Sequence, residues 1–576
     1  MSHKNRWLVQ TPITNQAAST LANHPAIIRQ VLFNRGISTA EAADAFLEAR
    51  TTTDTNPFQL KNMRLAVDRI RAALTEGQQI AIYGDYDVDG VTATALLVMV
   101  LRALRGDVRG YIPNRFEEGY GMNNDALSTL HNEGVRLVIS VDCGIRSPAE
   151  ALHARRLGLD LIISDHHQPS GTLPDALAVI DPKQEGDTYP DKDLAGVGVT
   201  YKIAEALLLD LGNSDIAKGV NLEDYIDLVA LGTVADLVPL TGENRALVRK
   251  GLEKMRETKR QGLFSLAGVA GVDLKKANAH TIGFNLGPRL NASGRLESAL
   301  ASLDLLMTND VIEAGNLAIK LNNQNVERQK LTREIQAQAE VLALEGEKDA
   351  ILLFAIHPDF NHGVVGLAAS RLVETYYRPA IVGHYDLEKG ETRCSCRSIP
   401  EFNITRALDE CADLLVRYGG HAAAAGFTVT NDNLKQLLDR LRSIAARELG
   451  QLDLRASFSA DAEVPFSQLN YDLLKQLEKL QPAGYGNPEP VFITRGVKVK
   501  SKRAVGAEGK HLKLTLTDGR FTLDAIGFRI GDRFGNLLEN LPPVLDVLYT
   551  FEANEFNGRT SLQLNLKDIK PAGTPD

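Results

Sequence analysis

Between residues 60 and 180 the apolar positions follow two alternating rhythms. Residues 60–76 and 92–104 place apolar side chains at helical spacing, whereas 79–83, 136–141, 160–164 and 177–180 are short apolar runs bounded by turn residues. The first pattern predicts helices and the second buried strands. Strands separated by helices predict a mostly parallel α/β sheet covered on both faces. Residues 309–345 contain no proline and a single glycine, Gly315, which predicts one long helix of about ten turns. A second α/β region follows, with strands at 351–356, 380–383 and near Thr392 and a helix over 363–376. Beyond Gly450 the pattern becomes β-rich, at 491–500, 511–518 and 522–528, and predicts a small barrel. The expected division is an N-terminal segment 1–57 of small amphipathic pieces, an α/β domain 58–308, a connecting helix 309–347, a second α/β domain 348–450 and a barrel 451–576.

Composition narrows the class. Hydrophobic residues are 44% and charged residues 24% of the 576, an ordinary globular balance. No apolar stretch reaches the roughly 18 residues of a membrane span. The opening residues, MSHKNRWLVQ, lack an apolar run followed by a small-residue cleavage site, so the expectation is a cytoplasmic protein with no membrane association. Four cysteines cannot frame a disulfide-dense fold, and Cys394, Cys396 and Cys411 lack the paired histidines of a zinc site. The net charge of −9 argues against a protein that merely coats nucleic acid. Local charge therefore decides more than the total.

The most informative local charge follows the strands. Asp85, Asp87 and Asp89 come directly after the run 79–83 and before a helix. Asp142 ends the next run, Asp165-His166-His167 another, and Asp236 follows the apolar segment 228–235. Any one of these acids could be a turn or a cap. Four such sites aimed at one sheet edge are better explained by cations, because ligands gather beyond the carboxyl ends of strands in open α/β sheets and clustered carboxylates repel one another without a counter-charge. Carboxylates with imidazole suit manganese, carboxylates with water magnesium. Six or seven such ligands suffice for two ions, the arrangement used in phosphoester hydrolysis.

The set resembles the DHH phosphoesterase superfamily, whose signature stands here as Asp165-His166-His167, and most closely its bacterial single-strand-specific exonucleases. The resemblance spans nearly the whole chain: GDYDVDGVT at 84–92, YIPNRFEEGYG at 111–121, VDCG at 141–144, SDHH at 164–167, VADLVPL at 234–240, GPRLNASGR at 287–295, GGHAAAAGF at 419–427 and GYGNPEP at 484–490. It implies that Asp87, Asp89, Asp142, His166 and Asp236 bind two divalent cations, Mn2+ or Mg2+, with Asp142 as the bridge and Asp85 as a sixth ligand. Many family members carry a histidine near that position, where this chain has Tyr83 and Asp85. It further implies that Asp165 orients its neighbours, that His167 contacts the scissile phosphate, and that the nucleophile is a metal-activated water. The implied activity is 5′-to-3′ exonucleolytic hydrolysis of single-stranded DNA to 5′-mononucleotides, in repair and recombination. Implied partners are single-stranded DNA, single-strand-binding protein and DNA helicases, and the expected state is a monomer. The alternatives are a related enzyme acting on short oligonucleotides or small nucleotide phosphates, and a non-catalytic DNA scaffold.

A phosphodiester substrate needs cationic and amide donors. Arg115, Arg289, Asn291 and Arg295 lie within the family motifs and are candidates for that role. In the second α/β region, which resembles a DHHA1 domain, Gly420 and His421 form part of a glycine-rich turn. Ser395 and Arg397 alternate on a predicted strand, so both face one side, and are expected to hold a terminal 5′-phosphate. In the barrel, residues 491–515 carry Arg495, Lys498, Lys500, Lys502, Arg503, Lys510 and Lys513 against Glu508 alone. With His511, Phe521 and Phe528 nearby, that strip predicts a single-strand groove with stacking platforms.

Overall fold

The computed structural model describes residues 5–114, 121–169, 171–345, 350–506, 509–528, 541–556 and 558–574. Arg115 and Glu508 lie outside the described residues. The chain divides into two compact units. Met1–Gly287, Ser302–Gly315 and Ser457–Asp576 form the first, and Pro288–Ala301 with Asn316–Ala456 the second. No helix among the described residues is long and apolar enough to cross a membrane.

The chain enters with a short strand, β1 (Arg6–Val9), and then builds a sheet from β2 (Gln79–Gly84), β3 (Val108–Tyr111), β4 (Val135–Val141), β5 (Asp160–Ser164) and β6 (Ala178–Ile180). The order is β3-β2-β4-β5-β6 and every pairing is parallel. Ala81, Tyr83, Val138, Leu161 and Ile163 bury one face among the helices Asn124–Asn132 and Pro148–Leu157. The helices Met63–Glu76, Val88–Ala103 and Gly196–Leu211 also pack on this sheet. Burial on both sides explains why these strands read as continuous apolar runs. The helix predicted over 92–104 begins earlier, at Val88, because the Asp87 side chain accepts the N–H groups of Asp89 and Gly90 and caps it. The apolar segment before Asp236 is not a strand but the helix Ile226–Ala235. Its residues 226–234 are all buried, and a helix buried all round has no period to separate it from a buried strand.

The second unit holds β7 (Leu353–His357), β8 (Ala380–Asp386), β9 (Glu391–Arg397), β10 (Leu415–His421) and β11 (Ala424–Thr430), in the order β10-β11-β9-β8-β7. Only β7 and β8 are parallel. Cys394 and Cys396 alternate inward on β9 and share a core with Cys411, Leu437 and Leu441, so these cysteines are packing residues. The predicted long helix is Val311–Leu344.

The barrel completes the first unit, with β12 (Ser457–Ala460), β13 (Ala462–Glu463), β14 (Phe492–Val505), β15 (His511–Thr517), β16 (Thr522–Gly527), β17 (Val544–Phe556) and β18 (Arg559–Pro571). Pairing runs β14-β15-β16-β18-β17 and closes from β17 back to β14. The N-terminal segment is part of this body. β1 pairs in parallel with β12, and Leu21, Ile28, Val31 and Leu32 share one core with Phe492, Leu514, Leu545 and Tyr549. Trp7 is buried and donates its Nε1–H to Asp568. Nothing in the local pattern of 1–57 announces this, because its partners lie more than 400 residues away in sequence.

The barrel and the parallel-sheet body are tied by a buried arginine. Arg245 donates to the carbonyls of Phe46, Lys479, Leu480, Gln481 and Pro482. It thereby satisfies the carbonyls that follow the helix Tyr471–Glu478, where a helix end leaves them orphaned.

Candidate active site

The acids gather at the carboxyl edge of the parallel sheet. Asp85, Asp87 and Asp89 follow β2, Asp142 follows β4, and Asp165 with His166 and His167 follow β5. Asp236 reaches the cluster from the C-terminal end of the helix Ile226–Ala235. His166 Nε2 stands 3.1 Å from Asp142 Oδ1, 3.5 Å from Asp236 Oδ2 and 3.8 Å from Asp89 Oδ2. Three groups of donor atoms lie mutually within 4.8 Å: Asp89 with His166 and Asp236, Asp142 with His166 and His167, and Asp85 with Asp87 and Asp142. Asp142 and His166 each belong to two of them.

Backbone geometry aims these groups. Asp142 adopts φ +60°, a left-handed conformation that aspartate tolerates better than most residues. Gly196 lies so close that a Cβ there would come within 2.7 Å of the Asp142 side chain. The start of that glycine's helix also fixes Asp89, whose carboxylate accepts the N–H groups of Gly196 at 2.6 Å and Val197 at 2.8 Å. Asp165 serves its neighbours. Its Oδ1 accepts from the backbone of His166 and His167 and from His167 Nδ1 at 2.8 Å, and its Oδ2 takes the Ile145 N–H. Cys143 is buried beside Asp142, its thiol against the Tyr83 carbonyl. Tyr83 is itself a core residue and donates to the Gly121 carbonyl.

The cluster fits divalent cations on its own chemistry. Asp142 Oδ1 and His166 Nε2 are buried and close, yet not aligned as a hydrogen bond. Burial, then repulsion from Asp89, Asp87 and Asp236, drives the Asp142 carboxyl far above the carboxylate range. Burial with Asp89 and Asp87 pushes Asp236 up to about 9. Burial with Asp87 raises Asp89 to about 7, against the two backbone N–H groups that favour its charge. Burial and His167 lower His166 to about 3, so its imidazole is neutral and able to ligate. Burial alone would raise Asp165, but His167 and the Ile145 N–H overcome it and hold it at about 2. His167 in turn is raised, the pull of Asp165 outweighing its burial.

These directions set a pH dependence. A carboxyl at about 7 or 9 in the fold, against about 3.9 unfolded, contributes stability that is complete below about pH 4 and lost as pH rises through the folded values. After EDTA treatment the melting temperature should fall between about pH 5 and pH 9. Added Mn2+ or Mg2+ should restore it, and increasingly so at higher pH, because the ligands bind deprotonated. Thermal melts across that range check this. A stability that rises with pH after EDTA treatment would contradict the buried carboxylate cluster.

In the second unit, Ser395 and Arg397 share one face of β9, with the start of the helix Val365–Tyr376 packed over them. A Cβ built on Gly366 would lie 3.1 Å from Arg397 Nη2 and 3.5 Å from Ser395 Oγ. Arg397 makes no ion pair among the described residues, and its Nη1 donates to the Cys396 carbonyl. His421 pairs with Ala424, which pairs with Arg397, so His421 and Arg397 lie on one rung with only alanine between them. Gly420 takes φ +144°, and a Cβ there would strike the Ala424 carbonyl at 2.4 Å. Its contribution is the close hairpin that carries His421. Arg289 donates to Asn322 and Arg295 to the Gly363 carbonyl, and Asn291 lies on the same helix, Gly287–Leu296.

The barrel strip is weaker than its sequence count. Arg495 is engaged by Glu463 and Asp546, and Lys513 lies 3.5 Å from Asp524. These acids come from neighbouring strands, which a window over 491–515 does not include. Lys498, Lys500, Lys502 and Arg503 remain exposed on β14, with exposed Phe521 and Phe528 on the same barrel.

Family models match in the same order as these parts: the N-terminal domain of the DHH family at residues 79–233, the DHHA1 domain at 348–447 and the RecJ OB domain at 460–568. The chain is 34% identical to the single-stranded-DNA-specific exonuclease RecJ of Escherichia coli, over 97% of this chain and 98% of that protein. The chain belongs to the RecJ family. The single-stranded-DNA-specific exonuclease RecJ of Bacillus subtilis is 39% identical over 99% of this chain and 71% of its own length. Among solved structures, RecJ of Thermus thermophilus in complex with Mn2+ superposes with a TM-score of 0.84 at 30% identity, covering 100% of this chain and 81% of that one.

Sequence reasoning missed several members of this RecJ-family site. Gly196 and Val197, whose amides hold Asp89, sit in a small-residue stretch with no chemical signature. Lys183 braces the His166 carbonyl at 2.7 Å and its charge lowers Asp236. Asp181 was legible, since it follows β6 as the other acids follow their strands. It is fully buried, raised to about 7 by that burial, and accepts the Lys183 N–H.

Proposed function

We propose that the chain hydrolyses single-stranded DNA from the 5′ end and releases 5′-mononucleotides in DNA repair and recombination. The observation that carries this is the overlap of the three donor groups at Asp142 and His166, in a member of the RecJ family. Asp85, Asp87, Asp89, Asp142, His166 and Asp236 would hold two divalent cations, Mn2+ or Mg2+, with Asp142 shared between them. When bound, such ions neutralise charge on the scissile phosphate and make water acidic enough to attack it near neutral pH.

The remaining work falls to side chains. His166 stays neutral and offers a ring nitrogen. Asp165 fixes His167 through Nδ1 and favours its protonated form, which suits His167 to donate to a phosphate oxygen as negative charge builds there. Ser395, Arg397 and His421, with Arg289, Asn291 and Arg295, are the proposed grip on the strand and its 5′-phosphate, and Arg115 belongs with them by its motif. Lys498, Lys500, Lys502 and Arg503 with Phe521 and Phe528 suit a single-strand groove.

The proposed domains are 58–308 for catalysis, 309–347 as connecting helix, 348–450 as substrate clamp and 451–576 as strand-binding barrel, with 1–57 attached to the barrel. A monomer in the cytoplasm, working beside DNA helicases and single-strand-binding protein, fits an enzyme whose substrate must first be unpaired.

The test uses end-labelled single and double strands with Mn2+, Mg2+ or EDTA, and product sizing. Metal-dependent release of mononucleotides from the 5′ ends of single strands is expected, and duplex preference or EDTA-resistant cleavage would overturn the reading. Arg289→Ala and Arg397→Ala should each weaken use of 5′-phosphorylated ends by about 1.5–3 kcal/mol, the value of a charge-assisted hydrogen bond. Strands with a 5′-hydroxyl should lose less. Equal losses on both ends would mean that these arginines grip the backbone generally.

A further inference from the structure

Asp236 differs from the other proposed ligands in its support. It stands at the C-terminal end of a helix, and the residue after it, Leu237, takes φ +63° and is 71% exposed. The chain from 237 to 240 is held instead by the loop 484–490 that leads into the barrel. The Leu240 N–H donates to the Tyr485 carbonyl at 2.7 Å. A Cβ on Gly486, at φ +73°, would come within 2.9 Å of Pro239 Cβ, and one on Gly484 within 2.7 Å of Leu240 Cδ1. Asn244 closes the far side by donating to the Pro239 carbonyl.

The loop is itself anchored. Asn487 is buried and donates to the carbonyls of Leu480 and Pro482. Arg35, from the N-terminal helix Ala26–Asn34 and its cap, donates to Asn487 Oδ1 at 2.8 Å and to the Pro488 carbonyl. A continuous run of contacts thus leads from the N-terminal segment through residues 484–490 to the backbone four residues from Asp236.

We infer that the loop 484–490 is a positioning element for Asp236, so that the barrel and N-terminal segment set the affinity of the catalytic cluster for its divalent cation. The inference rests on the reading of Asp236 as a metal ligand. Groups that orient a ligand from behind typically change metal affinity by roughly 10–100-fold when altered. The glycines at 484 and 486 let the loop's backbone approach residues 239 and 240 closely enough to make the contact.

The test measures Mn2+ binding to the full-length protein by electron paramagnetic resonance, with strand hydrolysis and Trp7 fluorescence in parallel. Gly486→Ala should bind Mn2+ roughly tenfold more weakly. Its kcat should recover as Mn2+ is raised, with KM for the strand and Trp7 emission unchanged. Gly484→Ala, which displaces only the end of the Leu240 side chain, should shift in the same direction by less and remains informative if Gly486→Ala fails to fold. Gly496→Ala is the control: it imposes similar backbone strain in the barrel, at φ +68°, with no neighbour within 4 Å. Asp236→Asn separates the two readings. If it leaves Mn2+ affinity intact, the ligand assignment fails. If it weakens binding while both folded loop variants bind Mn2+ normally, or the Gly496 control matches them, the positioning role is overturned.

Discussion

Asp142→Asn should yield a folded protein that still binds single-stranded DNA and does not cut it. The carboxylate belongs to two of the three donor groups and is the proposed shared ligand, so its loss should weaken both proposed cation positions. The fall in kcat should therefore exceed the roughly 10²–10³-fold that follows loss of one transition-state donor. Asparagine is the right replacement, because it keeps the shape packed against Gly196 and tolerates the left-handed backbone at φ +60°. Alanine would add a backbone penalty of about 1–2 kcal/mol and confuse stability with catalysis. After EDTA treatment the asparagine variant should melt higher than the parent, since it removes a carboxyl whose ionised form is disfavoured in the fold by burial and by Asp89, Asp87 and Asp236. Strand binding, product formation and melting of the two proteins decide the matter. Wild-type turnover by a folded variant would remove the shared-ligand assignment.

A chain ending at Gly450 should lose more than strand binding. Every proposed metal ligand lies before that point, which by sequence alone suggests a fragment that still cleaves phosphodiesters. The fold predicts otherwise. Leu21, Ile28, Val31 and Leu32 would lose the barrel side of their core, and each fully buried side chain of this kind contributes about 1.5–3 kcal/mol. That loss is comparable with the about 5–15 kcal/mol by which a domain is stable at all. Arg245 would keep its charge in the interior without four of its five carbonyl partners, and residues 239–240 would lose the loop against them. The fragment should show a red-shifted Trp7 emission, an early or absent cooperative melt, and metal-dependent cleavage reduced by at least the roughly tenfold expected of a misplaced ligand. Parental Trp7 emission and parental Mn2+ affinity in the fragment would refute this coupling.

The parallel sheet was legible because its strands are buried on both faces, and the run at 160–164 matches β5 residue for residue. The acids after β2, β4 and β5 were legible for a related reason: a carboxylate ending an apolar strand is a local signal, and repetition makes it specific. Asp236 was found by the same pattern although its apolar segment is a helix. Boundaries moved where side chains cap, as Asp87 shows by starting its helix four residues before the predicted position. The basic strip was over-read, since Glu463, Asp524 and Asp546 approach Arg495 and Lys513 from neighbouring strands.

The sequence by itself determined the identity and order of the acids, the alternation of strand and helix around them, the long helix and the β-rich region after Gly450, all of which are written in neighbouring residues. Tertiary structure alone decided that the first fifty residues join the barrel, that Gly196 and Val197 hold Asp89, and that residues 484–490 support the chain after Asp236. The physical reason is range. Periodicity and strand-end charge act within a few residues, whereas a shared core, an amide aimed at a distant carboxylate and a glycine that admits a foreign backbone depend on segments more than 100 residues apart in sequence.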